Sequence, residues 1–334
     1  MEENADNTLD PEWLKNLPLR SEEIGFPAEE LIACGECGRR SAPDRPACMY
    51  CGAAINSSAS GRLEIREVES WENGYNVVVM PIDGSDNEAV ACDLESVLRL
   101  SRELIAALLL SGKPFPIARA GTAEQASAIS HLLTAHNLRS WTIRDSDLLL
   151  QAPPVRLRSL VFDGDNLRLN PFTDGDATVL HTEDLALLVS CVLLTERRES
   201  TEQKKRRSVI TVDESNVSSD QPVIDIYSRT DPTGWRIPVN GFDFSTLGDE
   251  KSLLAHENMR RMAQRLREFA SSARFVDDYL SVRSVLEVCW PTEHRKDTRA
   301  PRLVTFGPKK TTSVFTTDNT VQVTKYSRLQ WHLL

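Results

Sequence analysis

The sequence has no apolar run long enough to cross a bilayer. Its longest, Leu104–Leu110 and Leu185–Leu194, fall far short of the ~20 residues a spanning helix needs. It has no glycine loop of the kind that cradles phosphate and no Gly-x-Ser-x-Gly elbow. Its six histidines are scattered, and none forms a helical metal motif. Those absences remove the usual sequence grounds for an enzyme, and catalytic activity and a small-molecule substrate are not expected. A basic excess is missing too: net charge is −10, which argues against broad nucleic-acid binding. The N-terminus shows no basic region followed by an apolar one, so no secretory signal is read and a cytoplasmic, membrane-free protein is expected.

What is present begins with cysteine. Four of the seven cysteines lie in two Cys-x-x-Cys-Gly knuckles, Cys34-Gly35-Glu36-Cys37-Gly38 and Cys48-Met49-Tyr50-Cys51-Gly52, with ten residues between Cys37 and Cys48. The glycine after each second cysteine tolerates the positive φ of a tight turn. Cys34, Cys37, Cys48 and Cys51 therefore form a candidate tetrahedral Zn²⁺ site with no open position, a structural rather than a catalytic centre. An iron centre on the same thiolates, a pair of disulfides and a dithiol redox role remain open alternatives. Cys92, Cys191 and Cys289 sit among apolar neighbours and read as buried core thiols. The two-knuckle stretch resembles the short zinc-ribbon modules of many bacterial proteins, over about residues 31–55. The resemblance implies a metal-stapled recognition or spacer module.

The 334 residues suggest two or three domains. Residues 1–30 form an acidic leader; nine acids against Lys15 and Arg20 in the first 33 residues supply seven of the ten net negative charges. Within it, Asp10-Pro11-Glu12-Trp13-Leu14 reads as a capped short helix. The ribbon spans 31–55, and a flexible linker, rich in serine, spans 56–63. Residues 64–150 alternate strand, two helices, extended link, helix and strand. Thr122 and Gln125 cap the last helix, and Asn137 suits the left-handed position that ends it. From 154 to 274 the pattern is one of short strands, a turn at Asp163-Gly164-Asp165-Asn166, and a helix over Leu253–Phe269. Residues 197–221, polar and charged, read as a long flexible loop. A helix over Phe275–Trp290 and a hairpin about Asp318-Asn319 complete a tail at 275–334.

The 64–150 segment resembles the C-terminal domain of the ribosomal stalk protein and the related adaptor that hands N-degron substrates to a protease. The residues carrying the resemblance are Tyr75-Asn76-Val77-Val78-Val79, the Leu100–Leu110 helix, Ala120-Gly121-Thr122-Ala123-Glu124-Gln125-Ala126 and Trp141-Thr142-Ile143. It implies a compact α/β protein-binding module. Where the adaptor carries Asn-Asp to grip an α-amino group, this chain has Pro81-Ile82-Asp83-Gly84. The strands and helix of 154–274, with Trp235-Arg236-Ile237-Pro238, resemble a pleckstrin-homology-like barrel. Phosphoinositide binding would need basic residues in the first hairpin loop; Asp163-Gly164-Asp165 would instead repel phosphate. That turn also lacks the closing glutamate of a calcium loop.

His181, near Glu183 and Asp184, is the best acid–base group on paper, but a histidine at a strand end is more often structural. The basic run Lys204-Lys205-Arg206-Arg207 could attract RNA. The expected fold class is thus multidomain α+β: zinc ribbon, stalk-like α/β domain, then an antiparallel β barrel capped by a helix. The expected function is a non-enzymatic zinc-binding adaptor or scaffold for unidentified protein partners. An RNA- or ribosome-associated protein is the alternative.

Overall fold

The computed structural model describes residues 31–41, 48–53, 68–69, 72–80, 87–98, 100–148, 152–173, 175–205, 208–299 and 310–334. The expected leader helix, the serine-rich linker, Pro81-Ile82-Asp83-Gly84, Arg206 and Arg207 lie outside them. The chain divides into two compact units, 1–64 and 65–334. In the first, β1 (Ile32–Ala33) and β2 (Arg40–Ser41) pair antiparallel, Ile32 opposite Ser41.

The second unit opens with β3 (Tyr75–Met80), α1 (Asn87–Leu98), α2 (Arg102–Leu110), β4 (Phe115–Ala120), α3 (Ala123–Ala135) and β5 (Arg139–Arg144). The strands form an antiparallel sheet in the order β4-β3-β5. Local chemistry sets the helix boundaries. Ser101 accepts a hydrogen bond from the Leu104 amide and Thr122 one from the Gln125 amide, both at 3.3 Å, satisfying orphan donors at the N-termini. Asn137, at φ 59°, ends α3 in the left-handed conformation.

The remainder builds a larger sheet from β6 (Val155–Asp163), β7 (Asn166–Pro171), β8 (Thr178–His181), β9 (Leu185–Lys205), β10 (Ser208–Ser228) and β11 (Trp235–Pro238). Helix α4 (Ala255–Phe269), β12 (Arg274–Val276), α5 (Tyr279–Cys289), β13 (Glu293–Arg299), β14 (Lys310–Asp318) and α6 (Thr320–His332) follow. The strand order is β13-β14-β9-β10-β11-β6-β7-β8, with β12 alongside β9. The sheet curls into a half-barrel, not a closed barrel, and β11–β6 and β12–β9 are parallel pairs. Helix α4 packs on one face: Met259, Met262 and Leu266 meet Leu188, Ile224, Ile226 and Ile237 in one buried cluster. Because side chains alternate across a strand, Val189, Asp225, Tyr227 and Arg236 point to the other face.

Two sequence expectations are corrected here. Residues 197–205 and 208–221 are not a loop but the outer arms of the β9–β10 hairpin, paired from Leu185–Ser228 out to Lys205–Ser208. Most of their described side chains are exposed, so apolar alternation, the usual sign of a strand, is absent. The tail is a hairpin only over β13 and β14; beyond Asp318 it is helix α6. Nine consecutive residues of α6, Gln322 to Gln330, are buried, and six of them are polar or charged.

That helix is held by side-chain bonds rather than by an apolar stripe. Tyr227 donates to the Ser327 hydroxyl at 2.9 Å, and Tyr279 donates to Gln322 Oε1 at 2.5 Å. Arg328 Nη1 donates to the Leu148 carbonyl at 2.8 Å and Nη2 to the Thr233 carbonyl at 3.1 Å. Tyr326 hydrogen-bonds Asp278, which also pairs with Lys113. Asp225 and Arg236 form a buried two-pronged pair, both bonds 2.7 Å, and Arg236 reaches Thr324 at 3.4 Å. A polar helix buried on all sides needs pairing of this kind, since each unmet buried group would cost about 1–3 kcal/mol.

Candidate metal centre

The two knuckles fold by the same hydrogen-bond scheme. The Gly38 amide donates to the Cys34 carbonyl and the Gly52 amide to the Cys48 carbonyl, each at 2.8 Å. The Cys34 amide donates to Arg39 at 2.9 Å and the Cys48 amide to Ala53 at 2.8 Å. Each turn closes through a glycine at positive φ, 68° at Gly38 and 74° at Gly52, where a side chain would strain the backbone. Duplicate turns place the four thiols facing one another.

The four sulfurs lie within 4.8 Å of one another. Cys34 Sγ to Cys51 Sγ and Cys37 Sγ to Cys48 Sγ are both 3.6 Å. A disulfide needs about 2.05 Å, so neither pair is bonded. Thiolates about 2.3 Å from a tetrahedral Zn²⁺ would stand about 3.8 Å apart, close to the observed spacing. Cys34 and Cys48 are buried; Cys37 and Cys51 are exposed.

The surroundings favour thiolate. Backbone amides of Tyr50 and Cys51 and the Ser41 hydroxyl bring Cys48 down to about 6. The amides of Cys37 and Glu36 lower Cys34. At Cys51 the Ala53 amide acts in the same direction, but the crowded thiols of Cys37, Cys34 and Cys48 outweigh it and push it up to about 12. Four sulfurs this close cannot all ionise unless a cation offsets their repulsion. All four expected ligands are brought together and fit a dication. A four-coordinate ion held by them would have no vacant position.

The other sequence candidates take structural places. His181 caps a short 3₁₀ turn, its Nδ1 accepting from the Glu183 amide at 3.4 Å. Asp163-Gly164-Asp165 is a turn between β6 and β7, with Gly164 at φ 55°. Of the three remaining cysteines, Cys191 and Cys289 are buried as expected, and burial raises both thiols, Cys289 to about 12. Cys92 is instead exposed on α1, where Arg102 donates to its sulfur at 3.2 Å.

Sequence reasoning missed a buried carboxylate centre. Asp145 accepts from the Gly74 amide at 2.8 Å, Asn76 Nδ2 at 3.0 Å, Arg119 Nε at 2.9 Å and Arg119 Nη2 at 2.7 Å. Lys325 Nζ stands 2.8 Å away. Asn76 in turn accepts from Trp290 Nε1 at 2.8 Å. The partners of Asp145 come from three separate segments of the chain, at 74–76, Arg119 and Lys325, so no local motif marks them.

No family model, curated protein or solved structure matches the chain. Its class therefore rests on its own architecture: a unit with a tetracysteine cluster compatible with a zinc-ribbon-like site, and a mixed α/β unit whose main sheet is a half-barrel. No helix among the described residues is long and apolar enough to cross a membrane.

Proposed function

We propose that the protein is a non-enzymatic zinc-binding adaptor or scaffold, with the 31–55 ribbon as a metal-stapled handle for protein partners. The observation carrying this reading is the tight cluster of four sulfurs in duplicate turns. Such a site has every coordination position filled by protein, so it rigidifies a surface and activates no water. Metal binding would contribute on the order of 10 kcal/mol to the folding of a segment too small for a core of its own. In the second unit, the strand, helix and sheet order of residues 75–144 supports the stalk- or adaptor-like reading of that module. The half-barrel with α4 on one face supports the pleckstrin-like reading more loosely.

The test is affinity capture by the full chain against the Cys34→Ser/Cys48→Ser variant, with proteins identified on each. Partners retained by the wild type and lost from the variant are expected. Identical sets on both would remove the ribbon from partner recognition.

One observation favours the RNA-associated alternative. Lys204 and Lys205 are the last residues of β9, opposite Val209 and Ser208 of β10, placing the start of the basic run at the outer end of the hairpin. A steep fall of RNA affinity with salt is the signature of phosphate contacts, and no retention on RNA at low salt would dismiss it.

A further inference from the structure

We infer that the protein self-associates through the free edge of β13, which pairs antiparallel with β13 of a second copy about a two-fold axis at Lys296. Strand β13 is the last in the sheet order, bonded to β14 on one side and to no other strand among the described residues. His294 to Thr298 are exposed. A free edge of this kind offers a row of main-chain donors and acceptors to another strand.

The charge sequence along β13 points to a second copy as the occupant, and the axis at Lys296, the middle residue, pairs all seven residues of the strand. Its residues read Glu293, His294, Arg295, Lys296, Asp297, Thr298, Arg299. Two-fold symmetry requires a residue to stand opposite its own copy. With Lys296 at the axis, Arg295 of each copy faces Asp297 of the other, and Glu293 faces position 299, an arginine. His294 faces Thr298. Shifting the axis to Arg295 would set Glu293 against Asp297, and shifting it to Asp297 would set Arg295 against position 299. Like charges directly opposite are destabilising, so the strand's own sequence rejects those neighbouring registers. The Lys296 ammonium, the one like-charged group at the chosen axis, lies 5.1 Å from the Phe315 ring centre on β14, drawn toward its own sheet.

Charge on an edge strand commonly serves to repel other strands. Simple repulsion would not call for signs that alternate into a self-complementary order. The other edges lack this property. Strand β8 is four residues long, and the described outer part of β10 carries the acids Asp213, Glu214 and Asp220 without a base. Arg295 already bonds Glu293 at 2.5 Å within its own strand, so pairing exchanges an internal ion pair for crossed ones.

The experiment is sedimentation velocity on the full chain from about 1 to about 200 µM, at low and high salt. Wild type is expected to form dimers that weaken with salt. Arg295→Asp and Asp297→Arg should each weaken dimerisation about tenfold or more, because each sets like charges against one another. The double variant Arg295→Asp/Asp297→Arg restores opposite signs in the same register and should recover dimerisation to within about threefold of wild type. A monomer throughout the concentration range would overturn the inference. So would single variants that dimerise as wild type does, or a double variant no better than the singles. Circular dichroism of each variant guards against misfolding, and the two singles act as independent checks.

Discussion

Lys325 Nζ lies 2.8 Å from Asp145 Oδ1, with both side chains at most 4% exposed. The bond fastens the buried C-terminal helix to the turn that follows β5, so residues 180 positions apart fix each other. Removing one partner of a buried pair leaves a charge without its match, which costs about 3–5 kcal/mol. Arg119 still serves Asp145, so Lys325→Met should fall near the lower end, about 3 kcal/mol, and lower Tm by roughly 6–12 °C. Calorimetry on the variant checks this; an unchanged Tm would contradict it.

Acid should act through the same carboxylate. Burial raises the Asp145 carboxyl, but Lys325, Asn76 and Arg119 outweigh it and hold the group below the ordinary value. A carboxylate lowered by folding contributes stability that is present in full above the unfolded value near 4. That contribution is lost as pH falls from there through the lower native value. Stability measured by urea unfolding should therefore drop less between pH 5 and 2 in Asp145→Asn than in wild type, from a lower starting point. Parallel pH profiles would refute the assignment.

Asn319 completes the edge of β9 between the stretches bonded to β12 and β14. Its Oδ1 accepts from the Leu194 amide at 2.7 Å, and its Nδ2 donates to the Val192 carbonyl at 3.0 Å and to Tyr279 Oη at 2.8 Å. The side-chain amide thus stands in for a peptide of a neighbouring strand. Asn319→Leu, similar in size and without polar atoms, leaves those groups unmet and should cost about 2–4 kcal/mol. Hydrogen exchange should show faster loss at the Leu194 amide than in wild type.

Gly234 lies at φ 72° against the Tyr227 ring, whose hydroxyl holds Ser327. A methyl group there would overlap the ring and strain the backbone together. Gly234→Ala should destabilise by at least about 2 kcal/mol, seen as a shifted urea midpoint. A shift smaller than that of an exposed glycine such as Gly112→Ala would show that the ring moves aside freely.

Much of the α/β segment was legible because its signals are local. Thr122, Gln125 and Asn137 mark their helix ends by side-chain chemistry alone, and Tyr75–Met80 announces a strand through β-branched residues. The clustering of the four cysteines was legible for the same reason, since spacing and glycine dictate the turns. What escaped was set by distant partners. Helix α6 reads in sequence as an arm of a hairpin because Val321, Val323 and Tyr326 are interleaved with polar residues, and the burial of Gln322, Lys325, Ser327 and Arg328 depends on Tyr279, Asp145, Tyr227 and the Leu148 carbonyl. The outer arms of β9 and β10 escaped because strands exposed on both faces carry no period-two apolar pattern.

The four-thiolate centre is the claim on which the adaptor reading stands, and X-ray absorption on purified protein with metal analysis tests it most directly. One zinc per chain with four sulfur neighbours at about 2.3 Å, lost in Cys34→Ser/Cys48→Ser, is the predicted result. A chain without stoichiometric metal, or a metal shell containing oxygen or nitrogen, would contradict it.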